Sequence, residues 1–150
     1  MTIPGSYQAP WQLDDILSES PFLASLGLRL LHLGEDGVRF ELEQAQQHLN
    51  AEGRVHGGVL ASLLDAACGF PARVVANHHD LVRAVTLTLS IEYLAAPRGP
   101  LVQARGRIVG GGKKIVFGRG EVLDADGNVV AIGSGSFKRL LLPMTSSLEE

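Results

Sequence analysis

A chain of 150 residues, 45% hydrophobic and 19% charged, is long enough for one self-sufficient core and too apolar to be disordered. Thirteen basic against sixteen acidic residues leave a net charge of −3, which does not point to nucleic acid as a partner. One cysteine excludes an internal disulfide framework and a cysteine-cluster zinc site, and the sequence has no apolar run long enough to span a bilayer.

Residues 1–10 hold two prolines and Gly5 without periodicity and read as a loose lead-in. They show neither the basic nor the apolar region of a signal peptide, so a cytoplasmic protein is expected. Residues 11–18 read as a short helix with Leu13, Ile16 and Leu17 on one side, and Pro21 either ends it or restarts a second turn. Two strand-like runs, 28–33 and 38–42, flank the hairpin turn Gly34-Glu35-Asp36-Gly37. Residues 43–54 are polar and aperiodic, a loop.

From 57 to about 76 the pattern changes. Val59, Leu60, Leu63, Leu64, Ala66, Ala67 and Phe70 leave almost no polar face, which is the signature of a buried helix, and Pro71 kinks it or opens a looser second half. Residues 85–93 then alternate apolar and polar over nine positions, a strong strand signal. Further strands at 101–109, 115–123 and 129–137 are joined by Gly110-Gly111-Gly112 and by Asp124-Ala125-Asp126-Gly127-Asn128. The order is helix, two strands, one buried helix, four strands. It predicts an α+β domain in which a curved antiparallel sheet of five or six strands wraps one long central helix. The domain proper spans 22–141, with a lead-in and short helix at 1–21 and a tail at 142–150.

Charge is unevenly spread along this order. Residues 1–80 carry four basic and ten acidic side chains, whereas 81–140 carry nine basic and four acidic. Solvated strand faces account for that, and so does a rim for a phosphorylated ligand; composition does not choose.

The segment 50–65 carries the candidate chemistry. Asp65 is the only acidic or basic residue between His56 and Arg73, in the middle of a helix expected to be buried. A carboxylate there either sits on a small exposed facet or is placed in an apolar cleft as base or nucleophile. His56-Gly57-Gly58 brings no bulk after the histidine, so the unpaired N–H groups of the first helical turn are open to a developing anion, although glycines also serve a tight turn. His56 and Asn50 flank that turn. Cys68 reads as core filler, and His78-His79 beside Asp80 read as loop rather than as a metal site. Gly57 and Asp65 are eight residues apart, roughly 12 Å along a helix axis. Two groups that must both reach one carbonyl cannot do so at that distance, so the chemistry predicts a symmetric dimer with two shared sites.

Asn50, Gly53, Val55-His56-Gly57-Gly58 and the apolar helix with Asp65 together resemble the hotdog-fold acyl-CoA thioesterases. Within them the likeness is to the PaaI-like (phenylacetic acid degradation) branch of the 4-hydroxybenzoyl-CoA thioesterase superfamily. The resemblance runs from about residue 22 to 140. It includes Ile91-Glu92-Tyr93-Leu94-Ala95-Ala96-Pro97, similar to the family's strand ending in an aromatic and a proline, and the hairpin Asp126-Gly127-Asn128-Val129-Val130-Ala131. It implies hydrolysis of an acyl-CoA to free acid and coenzyme A, without a metal or redox cofactor. Asp65 would be general base or nucleophile, the Gly57 amide would polarise the thioester carbonyl, and His56 would support that end. Asn50 would orient the carbonyl or the water, and Thr86 would stand near the carboxylate. Thr86, Thr88, Ser90 and Glu92 also suit the plain polar face of an alternating strand. Arg98, Lys113 and Lys114 would lie near the coenzyme A phosphates. Sheets would join edge to edge in a dimer, and dimers would pair into a dimer of dimers. A hotdog hydratase or dehydratase is the other enzymatic reading, which His56-Gly57-Gly58 fits poorly. A non-catalytic acyl-CoA binder or sensor is the reading from outside enzymes.

Overall fold

A computed structural model of the protein describes residues 12–76 and 80–140. Two short helices, α1 (Leu13–Ser18) and α2 (Pro21–Leu26), lead in, and Trp11 lies outside the described residues. Pro21 begins α2 rather than ending α1: at a helix N-terminus its missing N–H costs nothing and its φ is already helical. The strands are β1 (Arg29–Gly34), β2 (Gly37–Glu43), β3 (Arg83–Tyr93), β4 (Leu101–Gly111), β5 (Ile115–Leu123) and β6 (Val129–Leu140). They form one antiparallel sheet in the order β1-β2-β4-β5-β6-β3, so β3 is an edge.

The central helix α3 (Gly57–Gly69) lies across the concave face of this sheet. Leu60, Leu63, Leu64 and Ala67 meet Phe40 and Leu42 of β2, Val102 and Ala104 of β4, Val122 of β5 and Val130 of β6 in one buried core. The helix stops earlier than the run of apolar residues predicts. It tightens into a 3-10 turn at Phe70–Arg73, because Pro71 can neither donate to the helical ladder nor sit in a helix interior without a clash. Phe70 closes this end edge-on against Phe40, ring centroids 5.1 Å apart.

Two glycines let the helix lie so close. A Cβ at Gly106 of β4 would overlap the Ala67 carbonyl, and one at Gly118 of β5 would overlap that of Cys68. Glycine inside a strand here marks backbone-on-backbone contact. On the far, outer face of the sheet stand Arg39, Arg105, Arg107 and Arg119, around a hollow of about 760 Å3. Neither Asp65 nor Gly57 reaches that hollow.

Candidate active site

The start of α3 is reached through a loop held rigid by its own side chains. Asn50 turns its Oδ1 back to accept from the N–H groups of Glu52 (3.0 Å) and Arg54 (3.1 Å), leaving its amide NH2 as the outward donor. Leu49 and Val55 form a bridge, and the His56 N–H donates to the His48 carbonyl (2.8 Å). His48 fixes the whole loop. It is 1% exposed, its Nδ1 accepts from the Ala45 N–H (2.9 Å), and its Nε2 donates to the carbonyl of Leu26 at the end of α2 (2.6 Å).

A helix begins with N–H groups that have no partner inside it. In α3 the Gly58 N–H is taken by His56 Nδ1 (2.8 Å), and those of Val59 and Leu60 by the His56 carbonyl (2.9 and 3.3 Å). The Gly57 N–H alone makes no hydrogen bond among the described residues. His56, as an acceptor at Nδ1, keeps its ring proton on Nε2 and is a donor toward solvent. The Tyr93 hydroxyl, at the end of β3, donates to the Gly57 carbonyl (3.0 Å) and pins this first residue to the sheet.

Asp65 lies two turns further on. It is half-buried, on the one flank of α3 that the sheet does not cover, and its Oδ1 accepts from the Thr86 hydroxyl at 2.7 Å. Oδ2 makes no hydrogen bond among the described residues. The pair opens into a cleft of about 680 Å3 between α2, α3 and the first half of β3. Its walls are mainly apolar, with Phe22 of α2, 60% exposed, at the mouth. One helical turn from Asp65, the Cys68 thiol is buried against β5 and pushed up to about 12 by that burial and then by the Asp65 charge, so it is an inert core residue.

The structure thus brings the sequence-predicted residues together in two groups: Asn50, His56 and Gly57 at the helix start, and Asp65 with Thr86 beside the cleft. One chain does not join them. The basic candidates divide as well. Arg98 precedes β4 while Lys113 and Lys114 follow it, so the eleven-residue strand holds them roughly 35 Å apart at about 3.3 Å per residue. His78 and His79 lie outside the described residues; among the described ones, no group of three or more His, Cys, Asp or Glu stands close enough to hold a metal. Sequence reasoning missed His48 and the role of Tyr93. A histidine in a polar loop gave no sign of burial, whereas the Tyr93 position in the aromatic-proline strand end was a usable signal.

A family description, "Thioesterase superfamily", matches residues 52–131, the stretch that runs from the helix-start loop into β6. The chain belongs to the thioesterase superfamily. Its fold is the hotdog fold of those proteins. A solved variant of the phenylacetic acid degradation protein PaaI from Thermus thermophilus is 30% identical, with a TM-score of 0.71, covering 81% of this chain and 100% of that one. A conserved protein of Pseudomonas aeruginosa is also 30% identical, with a TM-score of 0.72 over 81% of this chain and 94% of its own. A relative in Halobacterium salinarum, named provisionally as an esterase, is 28% identical over 84% of this thioesterase-superfamily chain and 89% of its own length. Membership assigns the chain to thioester hydrolysis as a broad class. No helix among the described residues is long and apolar enough to cross a membrane.

Proposed function

We propose that the protein hydrolyses an acyl-CoA thioester to a carboxylic acid and coenzyme A, at sites shared between two protomers of a homodimer. The observation that carries this reading is the Asp65–Thr86 pair opening on a mainly apolar cleft, in a chain whose helix start keeps one N–H unpaired among the described residues. The thioester carbonyl oxygen accepts from the Gly57 N–H, where the helix dipole adds to the stabilisation of negative charge. Thr86 holds Asp65 through Oδ1, and Oδ2 accepts the proton of a water whose oxygen attacks the carbonyl carbon. The C–S bond then breaks, and the coenzyme A thiolate takes up a proton as it leaves. Direct attack by the carboxylate, followed by hydrolysis of the anhydride, uses the same placement. The reaction asks of the chain no metal or redox cofactor; coenzyme A enters as part of the substrate.

The dimer follows from where the two groups sit on β3. Tyr93, bonded to Gly57, and Thr86, bonded to Asp65, are seven residues apart, roughly 23 Å along an extended strand. Two β3 edges paired antiparallel about an axis at Ser90 set Tyr93 of one protomer opposite the Thr86–Leu87 bulge of its partner. The Tyr93 and Thr86 side chains both face the helix side, so one protomer's Gly57 and its partner's Asp65 share one groove. Such pairing also covers an eleven-residue edge that leaves Val85 and Leu87 43% and 49% exposed. Pairing of dimers would use the outer sheet face, where Val109, Ile115 and Phe117 stay exposed.

Release of free thiol from short, medium, long and aryl acyl-CoAs tests the reading. Wild type turns over at least one class, and Asp65→Asn lowers that rate about a hundredfold or more, the scale of a positioned acid–base group. A protein that binds acyl-CoA and releases no thiol from any of them is a binder instead. A folded and fully active Asp65→Asn removes the site.

A further inference from the structure

The cleft beside Asp65 is not apolar throughout. Ala66, Gly69, Leu89 and Phe137 line its middle, and at the end away from the helix start it is bounded by Arg73 and Arg83. Arg73 is held in place before anything binds: Nε donates to the Val82 carbonyl (3.2 Å), and the guanidinium lies 5.3 Å from the centre of the Phe70 ring. Its side chain is only 19% exposed. Among the described residues its carboxylate partner is Glu19 at 3.8 Å, itself 72% exposed, which is too long for a hydrogen bond. Burial, opposed by Glu19 and assisted by the like charge of Arg83, lowers the Arg73 pKa. Two cations therefore line one end of a mainly apolar cleft, one of them largely desolvated, and among the described residues Arg73 has one carboxylate partner, a long and solvated one. An arrangement of that kind is unfavourable in isolation and becomes favourable when an anion enters it.

We infer that Arg73 and Arg83 form an anion-binding subsite at the end of the Asp65 cleft, recognising a carboxylate or phosphate carried by the thioester ligand. The inference deepens the proposed function and rests on it for the identity of the ligand, though not for the existence of the subsite. Two parts of an acyl-CoA supply such a group: a carboxylate at the far end of the acyl chain, or the phosphates of coenzyme A.

The test is equilibrium binding, by calorimetry, to Asp65→Asn protein with and without Arg83→Gln, so that hydrolysis does not intervene. Arg83 is the residue to change because it is exposed at the first position of β3, whereas Arg73 also ties down the Val82 backbone. The probes are hexanoyl-CoA, adipoyl-CoA and hexanoyl-pantetheine, which differ in the terminal carboxylate and in the phosphates. Losing one charge-assisted contact weakens binding about tenfold. If Arg83→Gln weakens adipoyl-CoA alone, the anion is the acyl carboxylate. If it weakens both CoA thioesters equally and leaves hexanoyl-pantetheine unchanged, the anion is a phosphate. Unchanged affinity for all three probes overturns the subsite. Should wild type bind these ligands yet hydrolyse none, the thioesterase reading fails while the Arg83→Gln comparison still decides the subsite.

Discussion

Gly57 makes a demand on its own backbone that can be tested without disturbing the helix. Proline is well tolerated at the first helical position, and it deletes the one N–H on which the proposed oxyanion contact depends. The residue before a proline must be extended, and His56 already is, at φ −60° and ψ 138°. A Cβ at position 57 meets the Tyr93 ring at 3.6 Å, an ordinary contact. Gly57→Pro should therefore fold with a melting temperature near that of wild type and lose about 10²–10³ in kcat, as expected for removal of an oxyanion donor. Gly57→Ala keeps the N–H and should keep most of the rate. If the two variants are equally impaired, bulk rather than the lost donor is responsible, and the assignment of the amide is wrong. The same residues show how much of the site was legible beforehand. A lone carboxylate in an apolar helix and a glycine pair at its start announced Asp65 and Gly57 by type and position. That Gly58 is already spent on His56, and so leaves Gly57 alone, depends on a ring orientation that no spacing encodes.

At the level of elements, each strand and the central helix were readable, because period-two alternation and an all-round apolar run are set by burial on one face or on every face. The ends were not. Pro71 was visible as a breaker, yet whether it bends or stops a helix depends on the Phe70–Phe40 contact that receives the chain there. The anchoring of the β3–β4 connection was equally hidden, since its partner is a turn 26 residues away. Asp124 is 6% exposed; its Oδ1 accepts from the N–H groups of Asp126 (3.0 Å) and Asn128 (2.9 Å) and its Oδ2 from that of Arg98 (3.1 Å). Burial by itself would raise this carboxyl's pKa, and the donors at Asn128, Arg98 and Asp126 together take it below the ordinary value. A carboxylate depressed in the folded state stabilises fully above its unfolded pKa of about 3.9, and that contribution is lost as pH falls through the lower folded value. The urea midpoint of wild type should fall below about pH 4. Asp124→Asn should begin lower at neutral pH and lose less on acidification; equal slopes for the two proteins would refute the anchor.

For the whole molecule, the roughly 12 Å between Gly57 and Asp65 on one helix is the deciding length. No movement within a rigid, sheet-packed α3 brings them onto the same carbonyl, so a protein that needs both needs two chains, and a defect in each can be placed on a different chain. In the proposed homodimer, Asp65→Asn alone and Gly57→Pro alone would each be defective at both sites. A hybrid of the two would not be: one of its sites would hold both lesions, and the other would join the intact Gly57 of the first chain to the intact Asp65 of the second. Random reassortment at equal amounts makes about half of all dimers hybrid, so mixing two poorly active proteins should restore about one quarter of wild-type activity. Mixing must pass through dissociation, so recovery should appear after co-expression or after unfolding and refolding together. If catalysis took place within single chains, every site in the mixture would carry one lesion and the activity would remain the average of the parents. That outcome would also release β3 from the register proposed for it, because nothing else requires Tyr93 of one protomer to face the Thr86–Leu87 bulge of its partner.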